Sequence, residues 1–133
     1  MAIQFSSTVR DAQNNSIETT IGTSPYIFIA TGSVPANTST ADSGTTLVNY
    51  QLPSDWMSAS SGGVMTKAGT WSGTASGGSG ATPGYFRIKA SNNTTVHMQG
   101  TAGIGSGDMS FDGTITSGQT VTISTFTLTA GGA

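Results

Sequence analysis

The chain has 133 residues, enough for one domain of ordinary size, and nearly half of them are Gly, Ser or Thr. Only 8% are charged, against about 25% in typical globular proteins, and the formal net charge is -2. This balance argues against binding to nucleic acid or anionic membranes, because both need a basic surface. A thin apolar core with few solubilising charges favours a subunit that buries much of its surface in an assembly.

The chain contains no cysteine, which excludes disulfides and thiolate metal sites. The first residues show no basic segment followed by an apolar one, so we expect no secretory signal. No apolar run approaches the ~20 residues of a membrane span. We also expect no cofactor.

The N-terminal residues alternate in polarity. Ile3 and Phe5 fall on one side, which predicts a short strand or an extended arm over residues 1–6. A helix is predicted over Ser7–Ile21 from apolar residues near helical spacing, with Gly22 as a left-handed C-cap. Asp11 is placed in the first turn, where the helix dipole favours a negative charge.

The rest of the chain is predicted to be β. Strands are predicted where apolar and polar residues alternate between turn residues, namely at Pro25–Thr31, Thr45–Leu52, Val64–Thr74, Tyr85–Ala90, Thr94–Gly100, Met109–Phe111 and Thr120–Thr129. The strongest hairpin joins the fourth and fifth of these through Ser91–Asn93, since asparagine tolerates the positive φ of such turns. In the last strand the alternation shifts at Phe126, which suggests a bulge.

About seven to eight short strands with regularly spaced turns are typical of a sandwich or barrel. We therefore predict an all-β fold with one short N-terminal helix: a single β-sandwich domain over residues 1–133, either jelly-roll or immunoglobulin-like. The strand order is left open.

Few residues could carry catalysis or bind metal. His97 is the only histidine, and we interpret it as a structural or surface residue of the hairpin. Asp108 and Asp112 flank a predicted strand and would share one face, so they are the two candidates for a calcium site or a glycosidase pair. Aspartate beside glycine is also common in turns, and we predict neither a metal site nor an enzyme.

Two aromatic residues are candidates for recognition. Trp71 lies in an alternating strand and is predicted to be core. Trp56 and Met57 follow a strand exit and are predicted as interface residues together with Ile3 and Phe5, with a core lid as the alternative for Trp56. A sugar-stacking role for Trp56 is a further alternative.

Several phrases cover most of the chain in order: MAIQFSSTVRDAQNNSIETTIGTSP, PANTSTADSGTTL, LPSDWM, GYFRIKASNNTTVHMQGT and TFTLTAGGA. They resemble a family of small structural proteins of tailed bacteriophages. The helical region departs from that pattern by carrying asparagine and glutamine. The resemblance implies a virion component, assembled in the bacterial cytoplasm, and brings no catalytic residues with it.

Within that resemblance, we expect a head decoration (cement) protein that binds the major capsid protein and copies of itself, with a trimer as one assembly that fits. A tail or neck component is the first alternative. A carbohydrate-binding module that attaches the particle to host glycans is the second.

Overall fold

A computed structural model describes residues 2–133 and shows a mostly β chain with one helix. Helix α1 covers Ser7–Ile21. The nine strands, in chain order, are β1 (Tyr26–Ala30), β2 (Thr46–Gln51), β3 (Val64–Thr66), β4 (Trp71–Thr74), β5 (Tyr85–Lys89), β6 (Val96–Ile104), β7 (Met109–Phe111), β8 (Thr120–Ile123) and β9 (Thr127–Thr129). The coarse prediction, a β-rich fold with a short N-terminal helix, is confirmed.

Helix α1 begins and ends where the sequence predicts. The hydroxyl oxygen of the N-cap Ser6 accepts from the amide of Val9 at 3.3 Å. Gly22 ends the helix as predicted, and its amide donates to the Glu18 carbonyl at 2.9 Å. Its φ of 89° and ψ of -173° are an extended positive-φ conformation and not the predicted left-handed one. The placement of Asp11 in the first turn is wrong, because the helix starts at Ser7 and no acidic residue lies in that turn.

Five strands form the main sheet, in the order β2-β1-β5-β6-β7. All pairs are antiparallel except β6 and β7, which are parallel. The central strand β5 is buried along its whole length. The predicted hairpin is confirmed as β5 and β6, and Asn93 in its turn has φ 56°.

Two long predicted strands are each divided in the structure. The predicted strand Val64–Thr74 becomes β3 and β4, and Thr120–Thr129 becomes β8 and β9. The halves pair as β3 with β9 and β4 with β8, which gives two further two-stranded sheets. The first division falls where Gly69 adopts φ 68°, and the second where the predicted shift occurs, at Phe126.

The three sheets are joined into a curled structure. Strand β4 lies against the outer strand β2, where the ring of Tyr50 covers Gly73 so closely that an added Cβ would lie 2.4 Å from ring carbons. The Ser76 amide donates to the Leu47 carbonyl of β2 at 2.9 Å. Glycine at position 73 is therefore required by packing, because any side chain there would displace the Tyr50 ring.

A chain of aromatic rings forms the centre of the core. Trp56, Trp71, Phe126 and Phe86 contact one another in that order, with ring centroids 6.1, 5.3 and 5.9 Å apart. Both tryptophans are fully buried, and each indole N–H donates to a backbone carbonyl. The prediction that Trp71 belongs to the core is confirmed.

Polar side chains of helix α1 attach it to the segment around β3. Asp11 accepts from the Gly63 amide at 2.7 Å and from the Ser60 hydroxyl at 2.8 Å. The Asn14 side chain, 2% exposed, donates to the Gly63 carbonyl at 2.9 Å and to the Ser60 hydroxyl at 3.1 Å. Asn15 accepts from the Ser60 amide at 2.9 Å. Hydrogen bonds therefore supplement the few apolar residues of this helix, of which Ile21 is buried.

Candidate interaction surface

The predicted N-terminal arm is extended and exposed. Residues 2–5 belong to no helix or strand, and Met1 lies outside the described residues. Ile3 is 78% exposed and Phe5 is 43% exposed. Phe5 is attached near the C-terminus, because its amide donates to the Gly132 carbonyl at 2.6 Å and its ring covers Gly132. The arm thus presents two apolar side chains to solvent from a fixed base.

Trp56 and Met57 are not available as interface residues in this conformation. Both side chains are essentially fully buried within the chain, with exposures of 0% and 1%. The Trp56 indole donates to the Gly22 carbonyl at 3.0 Å, which fixes it beneath the end of the helix. Their prediction as interface anchors is corrected here, and the core alternative for Trp56 holds. The same burial leaves Trp56 unable to stack on a sugar.

Asp108 and Asp112 flank strand β7 as predicted, but Asp108 already has a structural role. Its Oδ2 accepts from both the amide and the hydroxyl of Thr101 at 3.0 Å. These bonds fasten the turn between β6 and β7. Within residues 2–133, no group of three or more His, Cys, Asp or Glu side chains is placed to hold a metal ion.

His97 is exposed on β6 and lies beside helix α1, near Ile17 and Ile21. The hydrogen bonds of the described residues include none to its ring, so no nucleophile or carboxylate orients it. Among the described residues, no nucleophile and base joined by a hydrogen bond include this histidine.

A groove of about 500 Å³ lies between strand β7 and the segment 122–127. Strand β7 is an edge of the main sheet, and β8 pairs only with β4 among the described strands. The Phe111 carbonyl accepts from the Gly105 amide of the β6 side at 3.0 Å. Because successive residues of a strand direct their backbone groups to opposite sides, the N–H and C=O of Ser110 face the groove. We call this groove the seam.

The seam is suited to accept an extended segment. A strand edge with unpaired N–H and C=O groups is a template for another strand. The walls combine hydroxyls such as Ser124 and Thr125 with the apolar side chains of Met109 and Phe126. The sequence indicated strand β7 itself, but its position at an edge depends on the parallel pairing with β6, which no local pattern indicates.

Three ionisable groups, two on helix α1 and one on strand β2, have shifted pKa values. Hydrogen bonds from the Gly63 amide and the Ser60 hydroxyl lower the pKa of Asp11 below its usual 3.8. Desolvation is the largest cause that raises the pKa of Glu18 above 4.5, and the neighbouring Asp55 raises it further. The Met57 amide, which donates to the Glu18 carboxylate, lowers it. Burial raises the pKa of Tyr50 to about 12, so this phenol stays neutral. All three groups are structural and none suggests a reaction.

Comparison of the chain with protein families, with curated proteins and with solved structures finds no match in any of the three. No helix among residues 2–133 is both long and apolar enough to cross a membrane.

Proposed function

We propose that this chain is a structural protein of a tailed-bacteriophage virion, specifically a head decoration protein that binds the outer capsid lattice and stabilises it. It acts by binding and not by catalysis. The observation that carries this proposal is the exposed apolar arm with Ile3 and Phe5 on an otherwise hydroxyl-rich chain. The resemblance of its sequence phrases to phage structural proteins agrees with it.

In this proposal the arm pairs with a strand edge of the major capsid protein or of a neighbouring copy. Such strand addition gains affinity from backbone hydrogen bonds and specificity from alternate side chains. Complete burial of an Ile or Phe side chain contributes about 1.5–3 kcal/mol. Because each virion would carry many copies, a small gain per copy adds up to a large stabilisation of the shell.

The proposed architecture is a single β-sandwich domain. The five-stranded sheet supplies one layer and the two smaller sheets supply the other, with Trp56, Trp71 and Phe86 between them. One core cluster draws on residues from Ile21 to Phe126, which supports a single domain. The parallel pairing of β6 and β7 departs from a purely antiparallel jelly-roll or immunoglobulin-like arrangement.

Variants of the arm test the mechanism. Phe5→Ala and Ile3→Ala should each lower the affinity for capsids about tenfold, because each removes an apolar contact worth more than 1 kcal/mol. Val9→Ala is the matched control, since Val9 is also 43% exposed but lies on the helix. Occupancy is measured by quantitative gel analysis of purified particles. If all three variants occupy the particles as fully as the parent chain does, the arm takes no part in the mechanism.

A second variant tests the seam. Ser110→Pro removes an N–H that faces the groove while the bonds between β7 and β6 remain, so the fold should be retained. Circular dichroism and thermal unfolding check the fold, and particle occupancy reports the interaction. Loss of occupancy with unchanged unfolding assigns the β7 edge to the interface. Full occupancy would show that the seam is free in the assembly.

A tail or neck component remains the alternative, because the same arm and strand edge would serve ring formation. Immunogold labelling of intact virions separates the two: label spread over heads supports decoration, and label confined to the neck or tail supports the alternative. Unlabelled virions, both intact and disrupted, would overturn the virion role with either location. The glycan-binding alternative has lost its main aromatic candidate, because Trp56 is buried.

A further inference from the structure

Two buried cations on the central strand share a single carboxylate. Arg87 and Lys89 of β5 have side chains that are only 1% and 7% exposed. Arg87 Nη1 lies 2.9 Å from Asp42 Oδ1, and Lys89 Nζ lies 2.6 Å from Asp42 Oδ2. No other carboxylate within residues 2–133 lies within salt-bridge distance of either cation. The cluster therefore carries one excess positive charge.

The remaining neighbours of the two cations are neutral. Arg87 Nη2 donates to the Asn37 carbonyl at 3.2 Å, and Lys89 Nζ lies 4.2 Å from the centroid of the Phe28 ring. Arg87 Nε is buried and has no hydrogen-bond acceptor. Gln99 lies directly across the strand pair from Arg87, but a neutral amide cannot balance a charge. An uncompensated buried charge is costly, which favours an anionic ligand.

A pocket of about 490 Å³ adjoins this cluster, between the segment 38–42, Arg87 and the segment 94–96. Two hydroxyls in its wall donate no hydrogen bond to the described residues, so each can donate one to a ligand. The Thr95 hydroxyl accepts from the Asn92 amide group, and the Thr38 hydroxyl makes no hydrogen bond with the described residues. A water molecule occupies about 30 Å³ in the liquid, so the pocket has room for a small oxyanion with part of its hydration shell.

We propose that this pocket binds an oxyanion. Arg87 lines the pocket, and the excess positive charge of the cluster, with Lys89 behind it and the Asp42 carboxylate at its edge, attracts the anion, while the Thr38 and Thr95 hydroxyls donate to its oxygens. The inference does not depend on the virion role, because it concerns the isolated chain. Guanidinium and hydroxyl donors recognise both carboxylate and phosphate oxygens. The group bound could thus be a free phosphate-type anion or a carboxylate carried by a neighbouring protein.

Titration of the isolated chain with inorganic phosphate, and separately with acetate, tests this proposal. Amide resonances of residues 38–42 and 94–96 should shift saturably at constant ionic strength, while those of strand β8 stay in place. Tighter binding of acetate identifies a protein carboxylate as the natural group, and tighter binding of phosphate identifies a free phosphate-type anion. The absence of saturable shifts with both anions would overturn the proposal.

Mild variants keep the test independent of folding. Thr38→Val and Thr95→Val each remove one hydroxyl donor without touching the buried cations, and each should weaken binding about tenfold. Thr120→Val, at an exposed position on β8, is the matched control and should bind like the parent chain. Equal binding by all three variants would show that the anion lies elsewhere, which would also overturn the assignment.

Discussion

Replacement of Asn14 by alanine tests whether hydrogen bonds hold helix α1 in place. The Asn14 side chain is almost fully buried and donates to the Gly63 carbonyl and the Ser60 hydroxyl at 2.9 and 3.1 Å. A third contact, to the Leu128 carbonyl, is 3.5 Å long and adds little. Asn14→Ala removes all three contacts and leaves the rest of the helix unchanged.

The expected decrease in the free energy of unfolding depends on the hydrogen bonds that each acceptor still makes in the variant. Gly63 O still accepts from the Ala130 amide at 2.9 Å, and the Ser60 hydroxyl still donates to Asp11. No buried acceptor is left without a partner, so the two good bonds together contribute about 2 kcal/mol. Alanine is the better helix former by roughly 0.5 kcal/mol. The net decrease in the free energy of unfolding should be about 1.5 kcal/mol.

Urea unfolding monitored by far-ultraviolet circular dichroism measures this difference. Asn14→Ala should lower the midpoint with an unchanged slope, since the surface exposed on unfolding stays the same. Gln13→Ala is the control: Gln13 is exposed and makes no side-chain bond within the described residues, so this variant should be neutral or slightly more stable. If Asn14→Ala unfolds at the same urea concentration as the parent chain, the helix is held by something other than these bonds.

Three further predictions concern charge. Asp42→Asn should lower the free energy of unfolding by about 2–4 kcal/mol, because it leaves two buried cations without a carboxylate, and phosphate at tens of millimolar should restore part of the loss in thermal unfolding. Glu18→Gln should raise the stability at neutral pH. Desolvation raises the pKa of Glu18 in the folded chain, so its ionisation lowers the free energy of unfolding once the pH rises above 4.5, the ordinary pKa of this group. The unfolding curves of variant and parent should therefore converge below pH 4.5. Attachment through the arm should change little between about 50 and 500 mM NaCl, because apolar burial and backbone pairing are not screened; a steep decline in occupancy would point to charged contacts instead.

The sequence predicted most local elements, because their signals are local. The helix Ser7–Ile21 and the short strand Met109–Phe111 have the predicted bounds, and the hairpin turn at Asn93 has the predicted positive φ. Glycine occupies the end of the helix at position 22 because a φ of 89° is unfavourable for residues with a Cβ. Each of these features depends on residues within a few positions of one another.

The features that local patterns could not give are those that depend on distant partners. The division of Val64–Thr74 into two strands follows from their pairing with different halves of a segment about fifty residues later. Asp11 looked like a residue of the first helical turn, but its carboxylate instead accepts from Gly63 and Ser60. Trp56 looked like an interface anchor because it follows a strand exit, and its burial depends on the helix end that covers it.

The use of charge in this chain explains what kind of surface remains for partners. Most of its few charged side chains make contacts within the chain: Asp42 bonds two buried cations, Asp11 and Glu18 accept from backbone amides, and Asp108 accepts from Thr101. The outer surface is therefore mainly hydroxyls, glycine backbone and the exposed arm. A surface of this kind has little charge with which to select a partner at a distance. Under the proposed function, shape and backbone pairing at close contact select the partner, and the anion pocket beside Arg87 is the charged feature that adds to them.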